Sequence, residues 1–271
     1  MEGGIEGIEI PQYSKKDSYQ KMKDVLGVDI REQSGTNLAK LVAEVGEMSN
    51  DEQVAFQTIF QEPFVLQHER TNFAAVREAG ALRSADQLDL VRGKGKGGHT
   101  LGEDYQRWGN TDFVFFHMKP RDPEEKAVTE GKHFTVLTFE PDILFKEGWI
   151  SFDDWHNFRA GSSNTKYFGE IERKITFTEN NKIYEYIHSD GTTTSLTKTP
   201  VEEAFFNGNI KQALALSFIR DSRLIGKGFQ KKAFQDRNAV IGSFNRLFQV
   251  EAKVPREVPL TMLIKRGDRI V

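Results

Sequence analysis

The sequence predicts an α+β fold in which a helical N-terminal region precedes a body of mostly antiparallel strands. Apolar residues recur at helical spacing up to residue 62, and from Pro63 onward short runs rich in Phe and Val alternate with turn residues. The 271 residues correspond to about two domains, or to one large domain with an appendage. The change in pattern predicts an unstructured segment at 1–16, a helical region at 17–62 and a strand-rich domain at 63–271.

The composition excludes several classes of protein. Lys and Arg total 37 and Asp and Glu total 40, which gives a net charge of −3 and argues against a protein that coats nucleic acid. The absence of Cys excludes a disulfide scaffold, a thiolate zinc site and a cysteine nucleophile. No apolar run is long enough for a membrane helix. The first residues lack the charged and apolar regions of a cleaved signal peptide.

The helical region divides into three short helices between residues 18 and 62. Gly27 and Gly46 follow the last periodic apolar residues of the first two, where glycine commonly ends a helix. Ser49, followed three residues later by Glu52, is a capping signal for the third.

The strand-rich domain is predicted to contain one helix among its first strands. Phe73–Gly80 has helical spacing and ends in glycine. The expected strands are short apolar runs at 64–68, 112–118, 133–139 and 149–152.

Polar and apolar residues alternate over 174–198, with turn signals at Asn180-Asn181 and Asp190-Gly191, and this pattern predicts an antiparallel meander. The last third is expected to be helical at first, with Pro opening and Gly closing its first helix. The predicted elements are helices at Pro200–Ile225 and 229–247, followed by strands at 248–258 and 260–265.

Three familiar site patterns are missing. The Gly-rich segment Gly93-x-Gly95-x-x-Gly98 lacks the preceding strand and following helix of a dinucleotide fingerprint, so we interpret it as a surface loop. The six His residues have no metal-ligand spacing, so no metal site is expected. No Gly-x-Ser-x-Gly nucleophile elbow is present.

Two weaker features remain as candidates for chemistry. Gln249 and Glu251 lie two residues apart on a predicted strand and should share a face, where they form either a surface pair or a carboxylate and amide in one cleft. His68 ends a predicted apolar strand, where a lone histidine is commonly structural.

Four segments, in order, resemble the ADP-ribosyltransferase superfamily, and most closely the OspC family of type III secretion effectors, the arginine ADP-riboxanases. Leu66–His68 resembles that family's Phe-Arg-His strand, and Asn110–Phe116 resembles its Asp-Phe-Val-Phe-Phe strand. Gly148–Asp154 resembles Gly-Tyr-Met-Thr-Leu-Thr-Asp, and Phe248–Glu251 resembles Phe-Gln-Pro-Glu. The resemblance covers roughly residues 45–265 and implies a split antiparallel sheet.

The resemblance implies that NAD is the substrate and that nicotinamide is released from its ribose. Glu251 would stabilise the oxocarbenium-like transition state, Gln249 would orient the nucleophile, and Asp154 would take a proton from an acceptor arginine. The remaining assignments concern how NAD is held. His68 would hydrogen-bond the adenosine-side ribose, Arg70 would contact the pyrophosphate, and Ser151 would support Glu251 from the adjacent strand. Phe115 or Phe116, together with Phe139, would stack on the nicotinamide.

The resemblance also implies a bacterial effector or toxin, with a secretion signal in residues 1–16, that acts in the host cytoplasm on a host protein. Host calmodulin is the implied activator, and the mildly basic stretch 15–24 is its candidate site. One departure concerns the last motif, where Lys253 replaces the family's His.

Four alternatives stay open. The product can be a riboxanated arginine, formed when a second step expels ammonia and closes a ring, or a simple ADP-ribosyl adduct. The chain can also be an NAD glycohydrolase. It can instead be a non-catalytic interaction module, because an ammonium at Lys253 can neutralise Glu251. A nucleic-acid-modifying transferase is supported only by Lys94 and Lys96.

Overall fold

A computed structural model describes the chain over six stretches, and every structural statement below concerns these: 15–70, 73–92, 109–130, 135–152, 163–178 and 181–264. Its helices are α1 (Lys15–Leu26), α2 (Ile30–Val45), α3 (Asn50–Gln61), α4 (Phe73–Ala79), α5 (Ala85–Arg92), α6 (Asp142–Glu147), α7 (Asn209–Ile225), α8 (Lys227–Ala233) and α9 (Arg237–Leu247). Short 3-10 turns cover Val201–Glu203 and Leu260–Met262.

The strands follow the same order along the chain. They are β1 (Phe64–Arg70), β2 (Ala81–Arg83), β3 (Phe113–Pro120), β4 (Val128–Glu130), β5 (Thr135–Phe139), β6 (Trp149–Phe152), β7 (Ser163–Phe168), β8 (Ile171–Phe177), β9 (Lys182–Ile187), β10 (Thr193–Lys198), β11 (Ala204–Phe206), β12 (Val250–Pro255) and β13 (Glu257–Pro259).

The strands form antiparallel sheets, which confirms the predicted α+β class. A seven-stranded sheet has the order β11-β6-β12-β3-β1-β5-β4, and a four-stranded sheet has the order β10-β9-β8-β7. The predicted meander is confirmed as β8, β9 and β10. A small ribbon pairs β13 with β2. No helix in the described stretches has the length and apolar character needed to cross a bilayer.

The three N-terminal helices are confirmed with the predicted ends. Gly27 and Gly46 follow α1 and α2 with φ of +72° and +57°, a backbone region that favours glycine. Ser49 and Glu52 form a reciprocal capping box at the start of α3. Helix α1 begins at Lys15, so residues 15 and 16 of the segment predicted to be unstructured are helical. The rest of that segment, residues 1–14, lies outside the described chain.

Helix α2 covers the edge of the seven-stranded sheet at β11. Asn37 donates hydrogen bonds to the carbonyl oxygens of Val201 and Ala204, at 2.7 and 3.0 Å. Ser34 accepts one from the backbone N–H of Phe206 at 2.8 Å. These polar side chains satisfy backbone groups that an open sheet edge leaves unpaired.

Two predictions about the last third are wrong in part. The helix expected at Pro200–Ile225 ends at Ile225 before Gly226, as predicted. It begins only at Asn209, because Ala204–Phe206 pairs with β6 as a strand and Asn207 turns the chain at φ +53°. The strand expected at 260–265 is a 3-10 turn at its start, and in its described part, 260–264, only Leu263 makes a β-bridge, to Phe139.

Two further predictions have the wrong boundaries. The helix at 229–247 is divided into α8 and α9, because the Asp236 side chain caps α9 by accepting from Ala239 N. The strand at 248–258 begins at Val250 and is interrupted at Arg256, whose φ is +63°.

Helices α7 and α9 pack on one face of the seven-stranded sheet. Phe64 of β1 contacts Phe244 of α9, with ring centroids 6.0 Å apart, and Phe244 contacts Phe218 of α7 at 6.1 Å. On the other face, Tyr19 of α1 contacts Phe113 and Phe206 at 5.3 and 5.5 Å. Among the described elements, α7 and α9 thus cover one face of the sheet, and α1 covers part of the other.

Buried polar groups join the four-stranded sheet to the rest of the chain. Arg173 of β8 donates to the carbonyl oxygen of Leu247 at 2.6 Å and lies 3.7 Å from Asp221 of α7. Lys182 of β9 lies 3.1 Å from Glu203, which also accepts from the Tyr184 hydroxyl at 2.8 Å. Ionic groups this deeply buried need such partners to offset their desolvation.

Glu52 joins three helices. Its carboxylate accepts from Arg223 of α7 at Nε and Nη2, at 2.7 and 2.8 Å, while Arg223 also donates to the carbonyl oxygen of Glu47 after α2. Hydrogen bonds from Arg223 lower the pKa of Glu52 from its ordinary 4.5 to about 2. The ionised carboxylate therefore stabilises the fold at neutral pH.

We expect Glu52→Gln to lower the free energy of unfolding by about 2 kcal/mol at pH 7, because a bidentate, charge-assisted pair is lost. The difference from wild type should shrink as the pH falls from about 5 towards about 2, since protonation removes the same contribution from the wild-type protein. Urea unfolding at several pH values measures both effects.

The matched control is Glu78→Gln, at an exposed position in α4. Its cost should stay within about 0.5 kcal/mol at every pH. A loss for Glu52→Gln that does not change with pH would contradict this account of the ion pair.

Candidate functional site

The four segments that carry the sequence motifs lie on neighbouring strands. In the order β6-β12-β3-β1, each of these strands is antiparallel to the next. Segments as far apart in sequence as residues 66 and 251 therefore meet in one continuous part of the sheet. Glu251 lies on β12, an inner strand of this group.

The pairing register shows which side chains share the face of Glu251. Ser151 of β6 and His117 of β3 lie directly opposite Glu251, and Gln67 of β1 lies opposite His117. Residues opposite each other in an antiparallel pair have their side chains on the same side. These residues therefore form one row across the sheet, in which Ser151 and Glu251 are buried and His117 is exposed.

A second row lies two residues further along β12. Lys253 lies opposite Trp149 of β6 and Phe115 of β3. Both rows point to the same side, because side chains two residues apart on a strand share a face. We call these two rows the Glu251 face.

Lys253 is the centre of the Glu251 face. Its ammonium forms an ion pair with the Glu251 carboxylate and donates to the Ser151 hydroxyl at 2.9 Å. Lys253 is fully buried and Glu251 is 5% exposed. Both charges have lost water, so the attraction between them must offset a large desolvation cost.

Aromatic rings surround the ammonium. Lys253 Nζ lies 4.3 Å from the ring centroid of Trp149 and 5.6 Å from that of Phe115, within the range of cation–π attraction. Gly148 lets β6 approach, because a Cβ there would lie 2.8 Å from the Lys253 carbonyl oxygen. This glycine thus allows Trp149 to lie across from Lys253.

The arrangement offers a carboxylate, an ammonium and a hydroxyl beside aromatic surface. A carboxylate can accept a hydrogen bond from a ligand hydroxyl and stabilise positive charge that develops nearby. The ammonium opposes the second effect while it remains paired, since the charges of the pair cancel. No cluster of three or more metal-ligating side chains occurs in the described part of the chain.

The structure separates His68 from Glu251. His68 follows Gln67 on β1, so its side chain lies on the opposite face of the sheet. Its Nδ1 donates to the carbonyl oxygen of Phe115 at 2.6 Å, and its ring lies 5.6 Å from Phe116. The strand pairing therefore does not place His68 and Glu251 in one cleft.

The aromatic residues predicted to contact nicotinamide divide in the same way. Phe115 is half-buried on the Glu251 face. Phe116 and Phe139 pack edge to face at 5.6 Å on the opposite side, and both are buried in the hydrophobic core. Their exposures of 2% and 0% leave little ring surface for a ligand.

The remaining predicted site residues are Gln249, Arg70 and Asp154. Gln249 is exposed and precedes β12, so its predicted position on a strand is wrong. Arg70 ends β1 opposite Thr135, and only its backbone is described. Asp154 and the Gly93–Gly98 loop lie outside the described residues.

Sequence reasoning placed Ser151 on the strand next to Glu251, which is where the pairing has it. It missed Trp149 and His117 as members of the same face. A signal for this face was present: Glu251 and Lys253 alternate with Val250, Ala252 and Val254. Charged residues at alternate positions of an apolar strand indicate either a solvent face or a buried pair.

Comparison with known proteins adds nothing to this geometry: the chain matches no protein-family model and no curated protein.

The buried ion pair can be tested by mutation. Lys253→Met should lower the free energy of unfolding by about 3 kcal/mol, because it leaves the Glu251 carboxylate buried without its cation. The double variant Glu251→Gln/Lys253→Met should be more stable than Lys253→Met alone, since it leaves no uncompensated charge. Urea unfolding at neutral pH measures each variant.

The control is Lys174→Met on β8, which removes a partly exposed cross-strand pair with Glu185 at 3.7 Å. Its cost should stay within about 0.5 kcal/mol. If Lys253→Met were as mild as this control, the Glu251–Lys253 pair would not be the buried interaction described above.

Proposed function

We propose that this chain is an NAD-dependent ADP-ribosyltransferase, with Glu251 as its catalytic carboxylate and a host-protein arginine as its acceptor. The observation that supports the proposal is the juxtaposition of the four motif strands in the order β6-β12-β3-β1, with Glu251 buried beside Ser151.

The proposed step breaks the N-glycosidic bond of NAD, and its electron pair leaves with nicotinamide. Positive charge develops on the ribose, and Glu251 stabilises it by accepting a hydrogen bond from a ribose hydroxyl. A guanidinium nitrogen of the acceptor then forms the new bond to the ribose carbon and loses a proton. Asp154 is the proposed base for that proton, as the resemblance implies, and riboxanation of the adduct is a proposed second step.

In the proposed reaction, the ion pair between Lys253 and Glu251 must weaken before catalysis. While the ammonium is paired with Glu251, it opposes the stabilisation of a cationic ribose. A ribose hydroxyl that donates to Glu251 weakens this pair, and the Ser151 hydroxyl and the Trp149 ring then hold the ammonium. We propose that substrate binding loosens the ion pair in this way.

The proposals on partners and location follow from the resemblance: a bacterial effector that acts in the host cytoplasm, with calmodulin as an activator. The basic stretch 15–24 lies in α1, whose Tyr19 and Met22 are buried in the core. Calmodulin binding through the apolar side of this helix therefore requires α1 to leave the sheet. An activation step of that kind would expose Phe113 and Phe206, which Tyr19 covers.

A second candidate function is a non-catalytic interaction module. The observation that favours it is the ion pair itself, because a buried ammonium against Glu251 cancels the charge that the reaction needs. In that case the pair is a structural element, and NAD has no role.

The test of the proposed function is nicotinamide release from NAD by the pure protein, with and without host-cell lysate and calmodulin. We expect wild type to release nicotinamide and Glu251→Gln to be slower by at least about 100-fold, the loss typical of removing a key electrostatic group. The double variant Glu251→Gln/Lys253→Met should show the same loss without an unpaired buried charge.

Glu257→Gln is the matched control, at a glutamate six positions along the chain whose side chain is 49% exposed. It should retain wild-type activity. No release by wild type in any mixture would reject the transferase in favour of the interaction module. Equal release by wild type and Glu251→Gln would remove Glu251 from the mechanism.

A further inference from the structure

A groove that shares no lining residue with the Glu251 face runs along α8. Its volume is about 740 Å³, within the range of ligand-binding clefts. It lies between the turn joining β7 to β8 and helices α8 and α9. We call it the α8 groove, and its main lining residues are Phe168, His188, Lys227, Phe229, Lys232 and Arg246.

The chain around this groove is strongly basic. Between Arg223 and Arg246 the sequence contains six Lys or Arg residues and a single acid, Asp236, for a local charge of +5 in a chain of −3. Two of the six cations serve the fold, since Arg223 pairs with Glu52 and Arg237 with Glu62, each at 2.7 Å. The other four leave a concentrated positive charge at the surface.

Three of those four cations line the groove. Lys227, Lys232 and Arg246 are exposed, and no carboxylate within the described stretches forms an ion pair with them. The fourth, Lys231, is also exposed and lies on α8 beside Lys232. Concentrated, unneutralised cations of this kind attract anionic partners and speed their association.

The floor of the groove is aromatic and its arginine is held in place. Phe168 and Phe229 pack edge to face at 5.5 Å. The Arg246 guanidinium lies 5.1 Å from the Phe168 ring and donates to the carbonyl oxygen of Tyr167. A guanidinium fixed by stacking loses less conformational entropy when its other N–H groups bind an anion.

We propose that the α8 groove docks an acidic segment of a partner protein that carries at least one apolar side chain. Its carboxylates pair with Lys227, Lys232 and Arg246, while the apolar side chain packs on Phe229, which is partly exposed. Phe168 is 4% exposed and packs against the Phe229 ring instead of the partner. A short acidic peptide fits better than a nucleic acid, because a chain of net charge −3 repels a polyanion that extends beyond the groove. Glu170 also lines the groove and repels either kind of anion. The proposal goes beyond the proposed reaction and does not require NAD.

The experiment uses a fluorescein-labelled dodecapeptide of aspartate and glutamate with two central leucines, measured by fluorescence anisotropy with the full chain. The Kd should rise at least about tenfold in Lys227→Glu/Lys232→Glu and should rise with salt, as expected for a charged interface. A peptide with serine in place of leucine should bind more weakly than the leucine peptide. A single-stranded DNA dodecamer serves as the competing polyanion.

The control variant is Arg77→Glu/Lys126→Glu, which makes the same change in net charge at exposed positions of α4 and the segment before β4. Its Kd should stay within about twofold of wild type, whereas an equal loss in both variants would reduce the effect to net charge and overturn the proposal. Absence of peptide binding, or DNA binding tighter than peptide binding and lost in Lys227→Glu/Lys232→Glu, would also overturn it. Because no readout depends on NAD turnover, failure here is distinguishable from failure of the transferase.

Discussion

The buried pair of Glu251 and Lys253 is the constraint on which the centre of the sheet depends. Two charges removed from water are costly, and the chain offsets that cost with a hydroxyl on β6 and aromatic rings on both neighbouring strands. The contacts come from three strands, so the pair also requires their register. A shift by one residue would turn Glu251 and Lys253 into the apolar face that packs on α7 and α9.

The two faces of the sheet therefore differ in chemical character. The face of Val250 and Ala252 is apolar and belongs to the core, together with Phe116 and Phe139. The Glu251 face has charged and polar groups in its middle and becomes more exposed towards His117 on β3. The buried Glu251 carboxylate belongs to this second face, which is the basis of the proposed transferase.

Much of the fold could be predicted because its signals are local. Ser49 and Glu52 mark a helix start by hydrogen bonds within one turn, and alternating residues identify the meander. The predicted start of the helix at Pro200 was wrong because Ala204–Phe206 is too short to show a period and becomes a strand only by pairing with β6. Other short elements, such as β2, β4 and α6, were not predicted for the same reason. Three to six residues contain less than two turns of helix or only about one pair of alternating residues, which is too little to show a period.

The site was less predictable because its geometry depends on strand parity. Ser151 and Glu251 could be placed together, since the motifs that contain them were expected on adjacent strands. His68 and Glu251 also belonged to ordered motifs, yet the register puts them on opposite faces. Motif order carries no information on which side of a sheet a residue points, whereas a one-residue offset decides it. The importance of Lys253 became clear only when its contacts were seen, although the sequence marks it as a departure from the family pattern.

The central claim is that the Glu251 carboxylate contacts the ribose of NAD. The most direct test is a crystal structure of the full chain with a hydrolysis-resistant NAD analogue in which the bond to nicotinamide cannot break. We expect a ribose hydroxyl within about 3 Å of the Glu251 carboxylate, with the Lys253 ammonium retained by Ser151 and Trp149. An analogue bound elsewhere, with Glu251 still paired to Lys253, would contradict it.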